Sequence, residues 1–219
     1  MSINKNKNLS SIKNKKNQDV NSRQELIKVY APDIFDSKLI GKTLIKKRNP
    51  ADENSSVDNK IYQVSLADIL GKEEFSSINF NFKSLKIFNN ECFTKFHGLT
   101  LTRDKICSLI KKWHTLIEVE VNFKTKDGYF LKLFLIAQSK KPKNMKSKTV
   151  YINSSQKRAL RRRITDIIIK EGINMDIKDF IHRIYSLKIY EKIEINCSKI
   201  FPIHQVNIRK IKVVENSTL

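Results

Sequence analysis

The stretch VEVNFKTKDGYFLKLFL, from Val119 to Leu135, decides how the rest of the chain is read. Val119, Val121 and Phe123 alternate with polar residues, Lys126-Asp127-Gly128 has the composition of a tight turn, and Leu131, Leu133 and Leu135 alternate again. Apolar residues at every second position on both sides of a glycine-containing turn specify an antiparallel hairpin with one buried face. Upstream of it, Leu39 to Lys46 and Ile61 to Leu66 read as strands, and Phe80, Phe82, Leu85 and Ile87 supply one or two more. Ser65 caps a short helical turn that runs through Leu70, with Asp68 three residues on and Gly71 closing it. Downstream, Val206 to Val214 reads as a last strand with basic residues interleaved.

Helical spacing takes over on either side of the hairpin. From Thr102, the residues Ile106, Leu109, Ile110, Trp113 and Ile117 recur at i, i+3, i+4, i+7 and i+11. That stripe predicts an amphipathic helix with Trp113 in the core and Arg103, Lys105, Lys111 and Lys112 off the apolar face. A second helix is predicted from Ser154 or Ser155 to Gly172, burying Leu160, Ile164, Ile167 and Ile168. A third has Asp176 as N-cap and buries Ile177, Phe180, Ile181 and Ile184; a fourth runs from Ile189 to about Cys197, and Pro202 stops it. Strands come in runs with helices inserted, so the class is α+β: a mixed or antiparallel sheet, or a barrel-like core, with several packed helices. The expected organisation is a flexible basic extension over 1–24, disordered in isolation, and one domain over 25–219 with a basic linker at 139–153. Residues 49–59 form a polar loop.

Composition then narrows the partner. The chain of 219 residues has 43 Lys+Arg against 22 Asp+Glu, a net charge of +21, while 40% of it is apolar. The apolar share suffices for a core, and the charge selects a polyanionic partner, most commonly nucleic acid. No apolar run approaches the roughly 20 residues of a membrane span, and no free amphipathic helix fits a membrane surface. Cys92, Cys107 and Cys197 are too few and too scattered for a disulfide framework, and the N-terminus has no apolar signal region, which points to the cytoplasm.

The charge is also unevenly placed. Between Gly128 and Thr165 stand Lys132, Lys140, Lys141, Lys143, Lys146, Lys148, Lys157, Arg158, Arg161, Arg162 and Arg163, with no acid among them. Lys157 with Arg161, and Arg158 with Arg162, are like-charge i, i+4 pairs, each destabilising by a few tenths of a kcal/mol. Cations in a helix's first turns also oppose its dipole, and a bound polyphosphate reverses both penalties. The candidate RNA contacts are those basic residues from Lys140 onward, together with Lys5, Lys7, Lys13, Lys15 and Lys16 of the extension, Arg103, Lys105, Lys111 and Lys112, and Arg209, Lys210 and Lys212 of the last strand. Arg161, Arg162 and Arg163 lead, because guanidinium forks pair with phosphate bidentately. Most aromatics fall on predicted core faces, which favours backbone and shape recognition of folded RNA over base stacking.

Catalysis is not expected. No P-loop, GxGxxG, GxSxG or HExxH is present, and Asp104 and Asp127 have structural explanations at a helix start and a hairpin turn. Cys92, His97 and Cys107 have the wrong spacing for a zinc finger, and His97 beside Gly98 reads as a turn residue. No cofactor or metal site is expected.

Six strings together carry a resemblance to a known family. FHGLTLTRDK (Phe96–Lys105) running into CSLIKKW (Cys107–Trp113) resembles the signature of the S-one-e family of eukaryotic and archaeal small-subunit ribosomal proteins, formerly S-three-A-e. KVYAPDIF (Lys28–Phe35), IGKTLI (Ile40–Ile45) and VSLADIL (Val64–Leu70) are similar to its N-terminal segments in the same order. KTKDGYFLKLF (Lys124–Phe134) and IFPIHQVNIRKIKV (Ile200–Val213) resemble its central hairpin and its closing helix-to-strand segment. The likeness spans about residues 24–214 and implies a structural constituent of the 40S subunit. Its expected partners are the rRNA of the platform near the mRNA exit, neighbouring platform proteins, mRNA and initiation factor three. Its expected place is the cytoplasmic ribosome, with nucleolar passage during assembly.

Two departures bear on what is carried over. Leu26 and Ile27 stand where the family has an aromatic residue, and the family's long charged C-terminal tail is expected to be missing after Leu219, so neither contact is transferred. The shortening, with the Lys, Ile and Asn usage of an AT-rich genome, would suit a reduced eukaryote such as a microsporidian. An RNA-processing enzyme and a free polyanion-binding protein are the other readings of the same basic chain.

Overall fold

The computed structural model describes residues 23–47, 59–88 and 90–214. The predicted extension lies outside the described residues except for Arg23 and Gln24, which open the first strand, and the predicted 49–59 loop lies outside them except for Asn59. Eight strands form one sheet: β1 (Arg23–Tyr30), β2 (Leu39–Lys47), β3 (Ile61–Ser65), β4 (Ile78–Phe88), β5 (Glu91–Leu101), β6 (Leu116–Lys124), β7 (Phe130–Ser139) and β8 (Ile203–Val214). Among the described residues, five α-helices accompany them: α1 (Leu66–Leu70), α2 (Arg103–Leu109), α3 (Ser154–Ile173), α4 (Ile177–Tyr185) and α5 (Lys188–Cys197). The fold is therefore α+β with a mixed sheet, as the sequence predicts.

Strand β5 is the hub. Along one side it pairs with β4; along the other it pairs in parallel with β1 at Glu91–Phe93 and antiparallel with β8 at Gly98–Thr100. The main path through the sheet is β2-β1-β5-β8-β7-β6. Gly98 is required where β8 crosses, because a Cβ there would lie 2.5 Å from the Ile211 carbonyl oxygen. His97 and Gly98 thus sit inside a strand, not in the predicted turn. The turn reading failed because a glycine in a strand interior also marks a close backbone approach.

The quoted hairpin is β6 and β7, in register from Leu116↔Gln138 to Lys124↔Phe130. Its turn has Gly128 at φ 87°, and the Gly128 N–H donates to the Thr125 carbonyl at 3.0 Å. The alternating residues Val119, Val121, Phe123, Leu131, Leu133 and Leu135 are all buried. Helices α3, α4 and α5 supply the other half of that core through Leu160, Ile164, Phe180, Ile184 and Ile193. Each such side chain contributes roughly 1.5–3 kcal/mol on burial. Phe123 meets Phe180 edge-on at 5.2 Å. Asp127 in the hairpin turn reaches the start of α4, where its carboxylate accepts the Ile177 N–H at 2.9 Å. Asp176 itself makes no side-chain cap bond, so the predicted capping role falls to Asp127.

Helix α2 buries Leu109 against Leu101 of β5 and Ile136 of β7, which form a separate core cluster. Here the sequence reading needs correction. The stripe through Ile117 predicts one long helix, but α2 ends at Leu109 and Ile110 is already extended, with φ −89° and ψ 100°. Ile110 is 62% exposed, and Ile117 lies buried in β6. Pairing along the hairpin claims Ile117 as the next inward residue before Val119, and this tertiary demand overrides a helical period that continues by coincidence. Trp113, expected in the core, is 38% exposed and has φ 70°.

Candidate nucleic-acid interface

The predicted basic residues fall into groups with different tasks. On α3, Lys157 is half-buried and Arg158, Arg161, Arg162 and Arg163 are exposed. Asn153 precedes the helix, and its N–H donates to the Gln156 side chain at 3.4 Å. Leu160 and Ile164 anchor the buried face, which turns the arginines outward and sideways. Arg161 Nε donates to the Glu118 carbonyl at 3.2 Å. Because β6 is the last strand of the sheet path, this bond occupies a carbonyl that β7 does not reach. Arg163 stands near Cys197, whose thiol is pushed up to about 11 by burial, with the arginine's charge acting the other way. The thiol stays protonated and serves packing.

Strand β8 carries a second group. Arg209 is exposed and pairs with the Glu118 carboxylate at 3.6 Å, where a register shift interrupts the β7–β8 ladder. Lys212 is exposed directly opposite Lys132, and Lys132 forms an ion pair with Glu120. Lys210 is half-buried. Elsewhere, the Glu171 carboxylate holds Arg183 at 2.6 Å and also Lys192, clasping α3 to α4 and α5. Neither cation belongs to the predicted interface. The extension's Lys5, Lys7, Lys13, Lys15 and Lys16 lie outside the described residues.

The third group surrounds the junction between 110–115 and 139–152. Lys111, Lys112, Lys140, Lys141, Lys143, Lys146 and Lys148 are all exposed, as are Arg103 and Lys105 on the preceding helix. A buried polar frame joins the two segments. Ser139 Oγ accepts the Thr115 N–H at 2.9 Å and donates to the Val150 carbonyl at 2.8 Å. Thr115 Oγ1 accepts the Ile152 N–H at 3.1 Å, and the Val150 N–H donates to the Trp113 carbonyl at 2.8 Å. The His114 ring closes the frame, its Nδ1 lying 2.8 Å from the Ser139 carbonyl. Lys112 Nζ stands 4.9 Å and Lys148 Nζ 5.7 Å from the centroid of the Trp113 ring.

The sequence reading missed this cluster because it assigned Trp113 to a helix face. The available signal was the run Lys111-Lys112-Trp113-His114, in which the indole has no strongly apolar neighbour until Leu116. Tyr151, Phe88 and Phe93 are likewise exposed rather than on core faces. Chemically, the surface offers many fixed cations and a few open aromatic rings. Among the described residues no group of three or more His, Cys, Asp or Glu could hold a metal ion.

The chain has relatives of known name. The Ribosomal S3Ae family model matches residues 12–217. A protein of Brugia malayi named small ribosomal subunit protein eS1 is 38% identical over 218 residues, covering 98% of this chain and 84% of the relative. A Plasmodium falciparum protein of the same name is 36% identical over 223 residues, covering 100% of this chain and 85% of the relative. The chain belongs to the ribosomal S3Ae family, as the six strings implied.

Proposed function

We propose that this chain is a structural constituent of the small ribosomal subunit, held by rRNA and by neighbouring ribosomal proteins, and that it supports translation without catalysing a reaction. The observation that carries this reading is its similarity over nearly the whole length to proteins named small ribosomal subunit protein eS1. The exposed cations of α3, β8 and the 140–148 segment fit the role, because rRNA binding rests on phosphate neutralisation. Its place is the cytoplasmic ribosome, on the platform near the mRNA exit, reached by way of nucleolar assembly. mRNA and initiation factor three are its transient neighbours there. Residues 1–24 act as a basic extension that orders on the RNA, and 25–219 act as one domain.

Sedimentation of a native lysate through a sucrose gradient tests this directly. The expected result is co-migration with small subunits at near-stoichiometric amount, before and after a high-salt wash. A chain found at the top of the gradient, or stripped off by moderate salt, would overturn the proposal.

A further inference from the structure

We infer that Trp113 is a stacking platform for an unpaired nucleobase, with Lys112 and Lys148 receiving the adjoining phosphates. The inference deepens the RNA-binding reading and rests on it. Three observations lead to it. First, the indole is exposed and has two ammonium groups over its ring, at 4.9 and 5.7 Å. Second, its backbone has φ 70°, a left-handed conformation that is a genuine outlier for a bulky residue. Third, the surroundings over-determine that conformation. The Trp113 carbonyl accepts the Val150 N–H, and Ser139 fixes Val150 and Thr115 from behind. Strain held in this way concentrates where a side chain must be presented in one orientation.

The ring's present neighbours do not explain its position. An exposed lysine over an aromatic ring contributes only about a 2- to 5-fold preference. A base stacked on the same ring contributes about 5- to 150-fold. A base therefore displaces a lysine from the ring, and the released ammonium lies within reach of the phosphate attached to that base. Tryptophan serves every base in this way, because each has a π-face. Recognition of a phosphate backbone alone would need the lysines and no indole.

Trp113 is the sole tryptophan of the chain, so its emission reports this site without labelling. The full chain is titrated with a dye-labelled single-stranded oligoadenylate RNA, and separately with inorganic polyphosphate, at matched ionic strength. Dye anisotropy follows RNA binding and indole emission follows the site. The expected result is quenching by oligoadenylate and little change with polyphosphate. Trp113→Leu is expected to weaken oligoadenylate binding by about 5- to 50-fold while leaving polyphosphate binding unchanged. Trp113→Phe keeps a ring and should retain most of the affinity. Circular dichroism checks that both variants fold, and the wild-type emission needs no variant.

RNA binding without an indole response, or equal quenching by RNA and polyphosphate, overturns this inference and leaves the RNA-binding reading standing. No anisotropy change at any RNA concentration overturns both. Indole shielding in isolated small subunits that survives nuclease digestion would assign the ring to a protein neighbour and also overturn it.

Discussion

The arginines of α3 and the lysines of the 140–148 segment are close in sequence and alike in charge, yet they stand in different relations to the fold. Arg161 is hydrogen-bonded to the last strand of the sheet, and Arg163 lies beside a buried thiol. The segment's Lys140, Lys141, Lys143, Lys146 and Lys148 form no ion pair among the described residues. What fixes that segment is neutral: the hydroxyls of Ser139 and Thr115 and the backbone of Val150. One region thus uses part of its charge to hold structure, and the other holds structure with hydroxyls and leaves its charge open. Positive charge on a sequence is therefore not a count of RNA contacts.

Breaking the neutral frame should have the largest effect. Ser139→Ala leaves the buried Thr115 N–H and Val150 carbonyl without their partner and is expected to cost about 2–3 kcal/mol. Chemical denaturation would measure the loss, and a change below about 0.5 kcal/mol would show that the frame does not hold the junction. Glu171→Gln comes next, because it removes the charge shared by Arg183 and Lys192 between three helices. Both cations are about half exposed, so screening limits the cost to about 1–2 kcal/mol. A matched pair sharpens the comparison further. Arg161→Ala should cost about 0.5–1.5 kcal/mol of stability. Lys148→Ala should leave stability within about 0.5 kcal/mol and reduce the salt slope of RNA binding by about 0.7–0.9. Equal effects of the two on stability would dissolve the distinction.

The smallest expected effect is a pH dependence away from both regions. The Asp176 carboxyl is raised above its ordinary value, first by its hydrogen bond with Asp127, then by desolvation and by the charge of Asp127. A raised carboxyl stabilises the fold while protonated and loses that contribution as pH rises through its folded value. Asp176→Asn should therefore raise the melting temperature slightly at neutral pH. It should make no difference below the ordinary carboxylate range. A lower melting temperature at neutral pH would contradict this sign.

What was legible in the sequence follows from the range of the forces involved. The β6–β7 hairpin was readable because its inward residues are all strongly apolar and its turn has a glycine that takes φ 87°. Helix α1 was readable from its own ends, since Ser65 accepts the Ala67 N–H and Gly71 takes φ 70°. The central strand β5 was not, because its buried positions Cys92, Thr94, Phe96, Gly98, Leu99 and Leu101 include small and polar residues and change phase at Gly98–Leu99, so the sequence shows no clean alternation. Its strand character comes from three neighbours in the sheet, which no local pattern encodes. The basic surface was legible as charge. Its division was not, because Arg161 finds its acceptor 43 residues away. Trp113 was misplaced for the same reason: the bonds that set its backbone come from Val150 and Ser139.

Lysine-reactive footprinting tests the central claim most directly, that cations left free by the fold are the ones that meet RNA. Reactivity would be compared between the free chain, intact small subunits and small subunits treated with nuclease. The account predicts that Lys140, Lys141, Lys143, Lys146 and Lys148 react in the free chain, are protected in the subunit and react again after nuclease. Lys192, paired with Glu171, should show no nuclease-dependent change. Segment lysines equally reactive in all three samples would contradict it.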